Sequence, residues 1–161
     1  TDIRDAIVAD ADFIQQNIGA ARIIGFESAL QQEWFGWQSS LGVAITDPRD
    51  RDTGHTLSRR ARRTLNLDLD RQFDRVGVGA SWQAVSGSFN DDDNKQPIGG
   101  YGLLGVRGNW KASSEVRLDL KVDNLLDKSF TRALYSYDGS YYGYREERRS
   151  VQLAVTWTPA L

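Results

Sequence analysis

The chain has 161 residues, 20 basic against 22 acidic, a net charge of −2 and a mean hydropathy of −0.51. No apolar run reaches the roughly 18 residues of a membrane-crossing helix, which excludes a helical anchor within these residues but not a β-barrel, whose strands alternate lipid-facing and water-facing side chains. The balanced charge and the lack of a nucleic-acid motif exclude a polyanion binder, and the absence of Cys removes disulfides, thiolate chemistry and Cys-ligated metals.

Alternation of apolar and polar residues predicts eight strands, at about 2–9, 20–32, 37–47, 59–71, 75–87, 99–111, 115–126 and 147–158. The first is the weakest, since its apolar residues also permit a short helix. In the third, Trp37, Ser39, Leu41, Val43 and Ile45 alternate with Gln38, Ser40, Gly42 and Ala44. Leu65, Leu67 and Leu69 then alternate with Asn66, Asp68 and Asp70, and Val76, Val78, Ala80 and Trp82 with Gly77, Gly79 and Ser81. The clearest case sets Val116, Leu118, Leu120 and Val122 against Arg117, Asp119, Lys121 and Asp123. Such a strand needs water or ion pairs on one side and an apolar medium on the other. Val151, Leu153, Val155 and Trp157 repeat the pattern at the end. A helix would scatter these residues around its surface.

The connections alternate in length. Short ones fall near 33–36, 72–74 and 112–114, and long polar ones span 10–19, 47–58, 88–98 and 127–146. Short turns on one rim and long loops on the other mark outer-membrane barrels, the short turns lying on the periplasmic side. Trp34, Phe35, Trp37, Phe73, Trp110 and Trp157 all fall at the short-turn ends. Aromatic rings favour the membrane–water interface, so Trp34, Trp37, Phe73, Trp110 and Trp157 read as an interfacial girdle rather than core aromatics.

Residues 21–27, ARIIGFE, resemble the A-x-I-x-G-V-E strand of TonB-dependent outer-membrane receptors. VDNLLDKSF at 122–130 is similar to their V-x-N-L-F-D-K-x-Y, with Leu126 in place of the usual Phe, and YREERRSVQLAVTW at 144–157 is similar to their final strand. TDPRDRDTGHTLSRRAR at 46–62 looks most like the vitamin B12 (cobalamin) receptor branch, where a T-D-x-R-D loop leads into L-x-R-R-A. The resemblance implies a barrel of about 22 strands closed by a plug, of which this chain would supply the last eight. Residues 1–161 would then be the C-terminal barrel portion, with no plug and no TonB-contacting segment within them. Met is absent and no basic-plus-apolar leader is seen, which also suits a processed or partial chain. Family barrels usually end on an aromatic residue; here either Trp157 serves and a tail follows, or Leu161 is not the native terminus.

Enzyme readings find no support. His55, the single His, sits in a Gly/Asp-rich loop near Ser58 with no orienting partner or oxyanion hole in view, and reads as solvated. The many Asp and Glu share strand faces with Arg and Lys, which ion pairing explains without acid–base catalysis. Asp91, Asp92 and Asp93, flanked by Asn90 and Asn94, carry oxygen ligands but lack EF-hand spacing and read as a loop tip. Arg59, Arg60, Arg62 and Arg63 form a basic cluster that could attract lipopolysaccharide phosphates or an anionic ligand, or pair with acids at the lumen rim. The last loop holds Tyr135, Tyr137, Tyr141, Tyr142 and Tyr144, followed by Arg145. These residues could contact a large ligand, since Tyr supplies contact area at low entropic cost, or form the outer girdle as strands emerge.

The sequence thus predicts an all-β, antiparallel transmembrane barrel segment in the bacterial outer membrane, with no cofactor. The resemblance implies a transport receptor for a scarce metal chelate, cobalamin or a ferric siderophore. Its partners would be outer-membrane lipid and lipopolysaccharide, the rest of the barrel and plug, and the TonB system. The alternative is a complete eight-stranded barrel acting as anchor or adhesin, its charged interior packed with ion pairs.

Overall fold

The computed structural model describes residues 2–4, 7–9, 15–17 and 20–159. Strands are β1 (Asp2–Arg4), β2 (Ile7–Ala9), β3 (Gln15–Asn17), β4 (Ala20–Trp34), β5 (Trp37–Asp50), β6 (Arg63–Phe73) and β7 (Val76–Val85). They are followed by β8 (Ser88–Phe89), β9 (Pro97–Ile98), β10 (Tyr101–Lys111), β11 (Val116–Asp123), β12 (Leu134–Tyr137), β13 (Ser140–Gly143) and β14 (Ser150–Trp157). Among the described residues no helix occurs.

One eight-stranded sheet runs in the order β1-β4-β5-β6-β7-β10-β11-β14, and each of its pairings is antiparallel. This is the meander the alternation predicts. Among the described residues β1 and β14 share no pairing, so the sheet ends on two edges. Three two-stranded pairs, β2-β3, β8-β9 and β12-β13, stand within the long connections.

The cross-strand register divides the sheet into two faces. Leu41, Leu67, Trp82 and Leu104 align across four strands, and Leu120 with Leu153, Leu118 with Val155. Ser40, Asp68 and Ser81 align on the other face, as do Arg107 and Lys121. The sheet is a single layer without a packed core. Among the described residues the buried apolar side chains are Ala21, Ile98 and Pro48, whereas Phe26, Leu153 and Val155 are each more than 60% exposed. The lipid medium that the sequence pattern implies would account for that exposure, because hydrocarbon leaves no hydrophobic gain to a second layer.

Turn chemistry fixes the short rim. Phe35 (φ 49°) and Gly36 (φ 77°) lie between Trp34 and Trp37, giving the positive-φ pair that matches strand twist in a two-residue hairpin. Asp74 (φ 32°) opens the next turn, between Phe73 and Val76.

Four sequence boundaries need correction. The predicted strand 2–9 is two elements, because Asp2–Arg4 pairs with β4 while Ile7–Ala9 pairs with Gln15–Asn17. The predicted strand 59–71 starts at Arg63, since Arg59 has φ 56° and Arg60 lies outside the ladder. The predicted strand 115–126 stops at Asp123, because Asn124 turns the chain with φ 49°. The strand predicted for 37–47 continues to Asp50, where Arg49 bridges Thr56.

Candidate functional site

The polar face is held by ion pairs that reach across an intervening strand and run along a single strand. Arg107 on β10 donates Nε to Asp70 Oδ1 at 2.8 Å and Nη2 to Asp68 Oδ1 at 3.1 Å, with a further Nη2 contact to Asp70 Oδ2. Arg117 binds Asp119 bidentately, Nη2–Oδ1 2.7 Å, and Lys121 Nζ lies 2.8 Å from Asp123 Oδ2. The register sets Asp68, Asp70, Arg117, Asp119, Lys121 and Asp123, which alternate with apolar residues in the sequence, on this one face. Arg107, which organises β6 with β10, escaped that reading. The alternation of Val106 and Arg107 within the predicted strand 99–111 was the signal that could have found it. Towards the short-turn rim this face holds a hollow of about 810 Å³ lined by Gln38, Asp70, Arg107, Asn109, Arg117 and Lys121. Asn109 Oδ1 is buried there without a hydrogen-bond partner among the described residues.

On the apolar face, Trp34 and Trp37 stand opposite each other at the short-turn rim. Phe73, Val76 and Trp110 form the next row, and Trp157 pairs with Val116 one step further on. The five girdle candidates thus lie on one face and one rim. Arg71 joins them, unanticipated, because it continues the Leu65–Leu69 parity. Its guanidinium carbon sits 4.6 Å from the Phe73 ring centroid and 5.7 Å from that of Trp37. A guanidinium over aromatic faces keeps its charge at an interface while its stem covers apolar surface.

At the opposite rim three long connections are tied together. Thr56 N–H donates to Asn94 Oδ1 at 2.8 Å, and Asn94 Nδ2 donates back to Thr56 O at 2.8 Å. Asn90 Oδ1 accepts from Arg59 Nε at 3.2 Å and from Leu134 N–H at 2.9 Å, which joins the third connection to the first two. His55 Nδ1 lies 3.0 Å from the Asp92 carbonyl, and no hydrogen bond among the described residues links it to Ser58.

The acidic run is spent locally. Asp91 accepts the Lys95 and Gln96 amides at 3.0 and 2.8 Å, and Asp93 pairs with Lys95 Nζ at 2.9 Å. That hydrogen bond holds the Asp93 carboxyl below its usual range. Among the described residues no cluster of three His, Asp or Glu could hold a metal ion.

The arginine cluster splits. Arg59 is engaged through its amide with Phe89 O at 2.6 Å as well as through Nε. Arg62 Nη2 binds Asp47 Oδ1 at 2.8 Å, a carboxylate that Arg49 also contacts at 2.9 Å. Arg60 and Arg63 are exposed and have no side-chain partner among the described residues.

In the last connection, the resemblance motif 122–130 has a clear structural role. Asn124 is buried and its side chain closes the turn, accepting from Lys128 N–H at 2.8 Å and donating to Lys128 O at 2.9 Å. Asp127 then takes Arg148 through two hydrogen bonds of 2.9 and 2.6 Å and the Arg149 amide at 3.0 Å. Arg148 beside it lowers the Asp127 carboxyl to about 2.

The tyrosines form a hairpin separate from the main sheet. Tyr135 faces Tyr142 with ring centroids 5.7 Å apart, and Tyr135 lies 4.9 Å from Tyr144. The register puts Tyr137 on that same side and Tyr141 on the other, opposite Ser136. The alternation of these tyrosines therefore belongs to a hairpin outside the eight-stranded sheet. Tyr144, Arg145 and Arg148 line a neighbouring hollow of about 400 Å³ with Phe130.

The family described as TonB dependent receptor-like, beta-barrel, matches residues 1–125. The vitamin B12 transporter BtuB of Vibrio vulnificus (strain YJ016) is 32% identical over 126 residues, covering 78% of this chain and 20% of that protein. The siderophore receptor PiuA from Acinetobacter baumannii superposes with a TM-score of 0.80 at 21% identity, over 98% of this chain and 24% of that one. The ferric yersiniabactin uptake receptor FyuA from Yersinia pestis gives a TM-score of 0.86 at 17% identity, over 97% and 26%. The chain spans 20% to 26% of the length of these three proteins.

Proposed function

This chain belongs to the TonB-dependent receptor β-barrel family of the bacterial outer membrane, and on that premise we propose that it is part of a receptor for energised import of a metal chelate, cobalamin or a ferric siderophore. The observation that carries this reading is the division of the sheet. Its apolar face suits lipid, its polar face suits a water-filled or plugged lumen, and its long connections converge on one rim. The chain would supply the last eight strands of a barrel of about 22 strands. Its two unpaired sheet edges and its share of its relatives' length support a segment rather than a closed small barrel. The TonB system would act through a plug packed against the polar face.

Within this reading Trp34, Trp37, Phe73, Trp110 and Trp157 anchor the periplasmic interface. Tyr135, Tyr142 and Tyr144 offer a stacked aromatic surface to the chelate, with Tyr137, Tyr141 and Arg145 at its margin. The 32% identity to a vitamin B12 transporter favours a corrinoid, while the two structures compared above are named as a siderophore receptor and a ferric yersiniabactin uptake receptor.

The test is uptake by the full-length receptor in a host lacking its own corrinoid and siderophore receptors. Labelled cobalamin or a ferric siderophore should accumulate only with TonB present. Binding of neither chelate class, or uptake at the same rate without TonB, overturns the reading. Tyr135→Ala with Tyr142→Ala should weaken chelate binding by about tenfold if the aromatic surface is used.

A further inference from the structure

The phenols of the tyrosine hairpin are placed to react with one another. Tyr135 on β12 stands directly opposite Tyr142 on β13, their ring centroids 5.7 Å apart and their planes at 28°. Tyr144, two residues on along the same side, brings its ring centroid to 4.9 Å from that of Tyr135. Opposed side chains on a hairpin are neighbours through the register itself. Asp138 (φ 49°) and Gly139 (φ 71°) form the positive-φ pair of a tight turn, which fixes that register. At the base, Leu134 N–H donates to Asn90 Oδ1 at 2.9 Å, Tyr144 N–H to Ala133 O at 3.1 Å, and the Thr131 hydroxyl to Tyr144 O at 2.7 Å. Both arms are therefore held while the rings stay open to water, at 39%, 46% and 52% exposure for Tyr135, Tyr142 and Tyr144. No hydrogen bond among the described residues engages their phenol oxygens.

Composition directs oxidation to the same place. The chain has no Cys and no Met, so no sulfur side chain takes up an oxidant first. Its five Trp all lie in strands of the wall, none in a long connection. We propose that this hairpin is an oxidative cross-linking site, where a one-electron oxidant of the peroxidase class couples Tyr135 to Tyr142 or Tyr144 as a dityrosine. Each phenol gives one electron to the oxidant and its O–H proton to water. The two phenoxyl radicals then join through ring carbons ortho to oxygen, forming one C–C bond. The hydrogens on those carbons move to the oxygens and restore both phenols, so the pair loses two hydrogens in all. Hydrogen peroxide, the terminal oxidant, takes up the two electrons and two protons and leaves as two waters. Tyr141 lies on the opposite side of the hairpin and has no part in the link. The bond would clasp the two arms covalently, and it requires only an exposed hairpin, not the transport reading.

The experiment exposes the full-length receptor, in mild detergent, to hydrogen peroxide and a haem peroxidase, and follows the products by mass spectrometry. The tryptic fragment Ala133–Arg145 should become lighter by two hydrogens. Cleavage before Asp138 should then leave its two arms joined. Tyr135→Phe should abolish the link, as should Tyr142→Phe and Tyr144→Phe combined, while Tyr141→Phe leaves its yield unchanged. Persistence of the link in Tyr135→Phe, or its equal loss in Tyr141→Phe, would overturn the site. So would a product joining two separate receptor molecules in place of the two arms. The urea-unfolded receptor supplies a test that needs no variant: the same yield without the fold would show that the register does not bring the phenols together. Chelate uptake is not the readout, so failure here leaves the transport reading standing.

Discussion

Arg107 on β10 crosses over Gly79 on β7 to bind Asp70 on β6. The register sets Asp70, Gly79 and Arg107 in one row across the polar face. A Cβ on Gly79 would press against Asp70 Oδ1 and sit 2.8 Å from Arg107 Nε. The missing side chain is thus what lets two charged groups meet across an intervening strand. Gly79→Val should destabilise the barrel by about 1–3 kcal/mol through overpacking. Urea unfolding of the full-length receptor in lipid vesicles measures it. Gly42→Ala, with nothing within 4 Å of its Cβ, should cost far less; equal losses would show that strand glycines matter only through backbone freedom.

The Asp127–Arg148 pair makes the last connection acid-sensitive. The Asp127 carboxyl lies at about 2, against 3.8 for an unperturbed one, so folding lowers it. A lowered carboxyl contributes stability fully above 3.8, and that contribution fades as pH falls towards about 2. Hydrogen exchange at the Arg149 amide should therefore stay slow at pH 4 and quicken near pH 2. Asp127→Asn should show the fast exchange already at neutral pH. An amide indifferent to both changes would mean that the pair does not order this loop.

Asn94 ties two connections with one side chain. Asn94→Ala removes both hydrogen bonds to buried Thr56 and should cost about 1–3 kcal/mol locally, because a buried backbone amide is left without its partner. Hydrogen exchange should rise in 51–62 and in 88–98 together. A rise confined to 88–98 would show that the two loops are independent.

Asn124 holds a positive φ and closes its own turn. Asn124→Ala should cost about 2 kcal/mol or more, from the backbone conformation and the lost hydrogen bonds combined. Asn124→Gly should recover only the backbone share. The order wild type, Gly, Ala in urea midpoint checks this, and equal midpoints for Gly and Ala would leave the side-chain bonds as the whole effect.

The period-two alternation was enough to place the eight strands of the sheet and their two faces, because a single sheet between lipid and water leaves each residue only two environments. It was also enough to set the short turns and their aromatics on one rim. The edges of that reading failed where side chains, not periodicity, end a strand. Asn124 stops β11 by hydrogen bonding, and Arg59 leaves the β6 ladder to meet Phe89 and Asn90, some 30 residues away in the chain. Contacts of that separation leave no local pattern. Only the tertiary structure could divide Arg59, Arg60, Arg62 and Arg63 into engaged and open members, or separate the tyrosine hairpin from the sheet. A cluster in sequence becomes a site only when the fold decides which charges find partners.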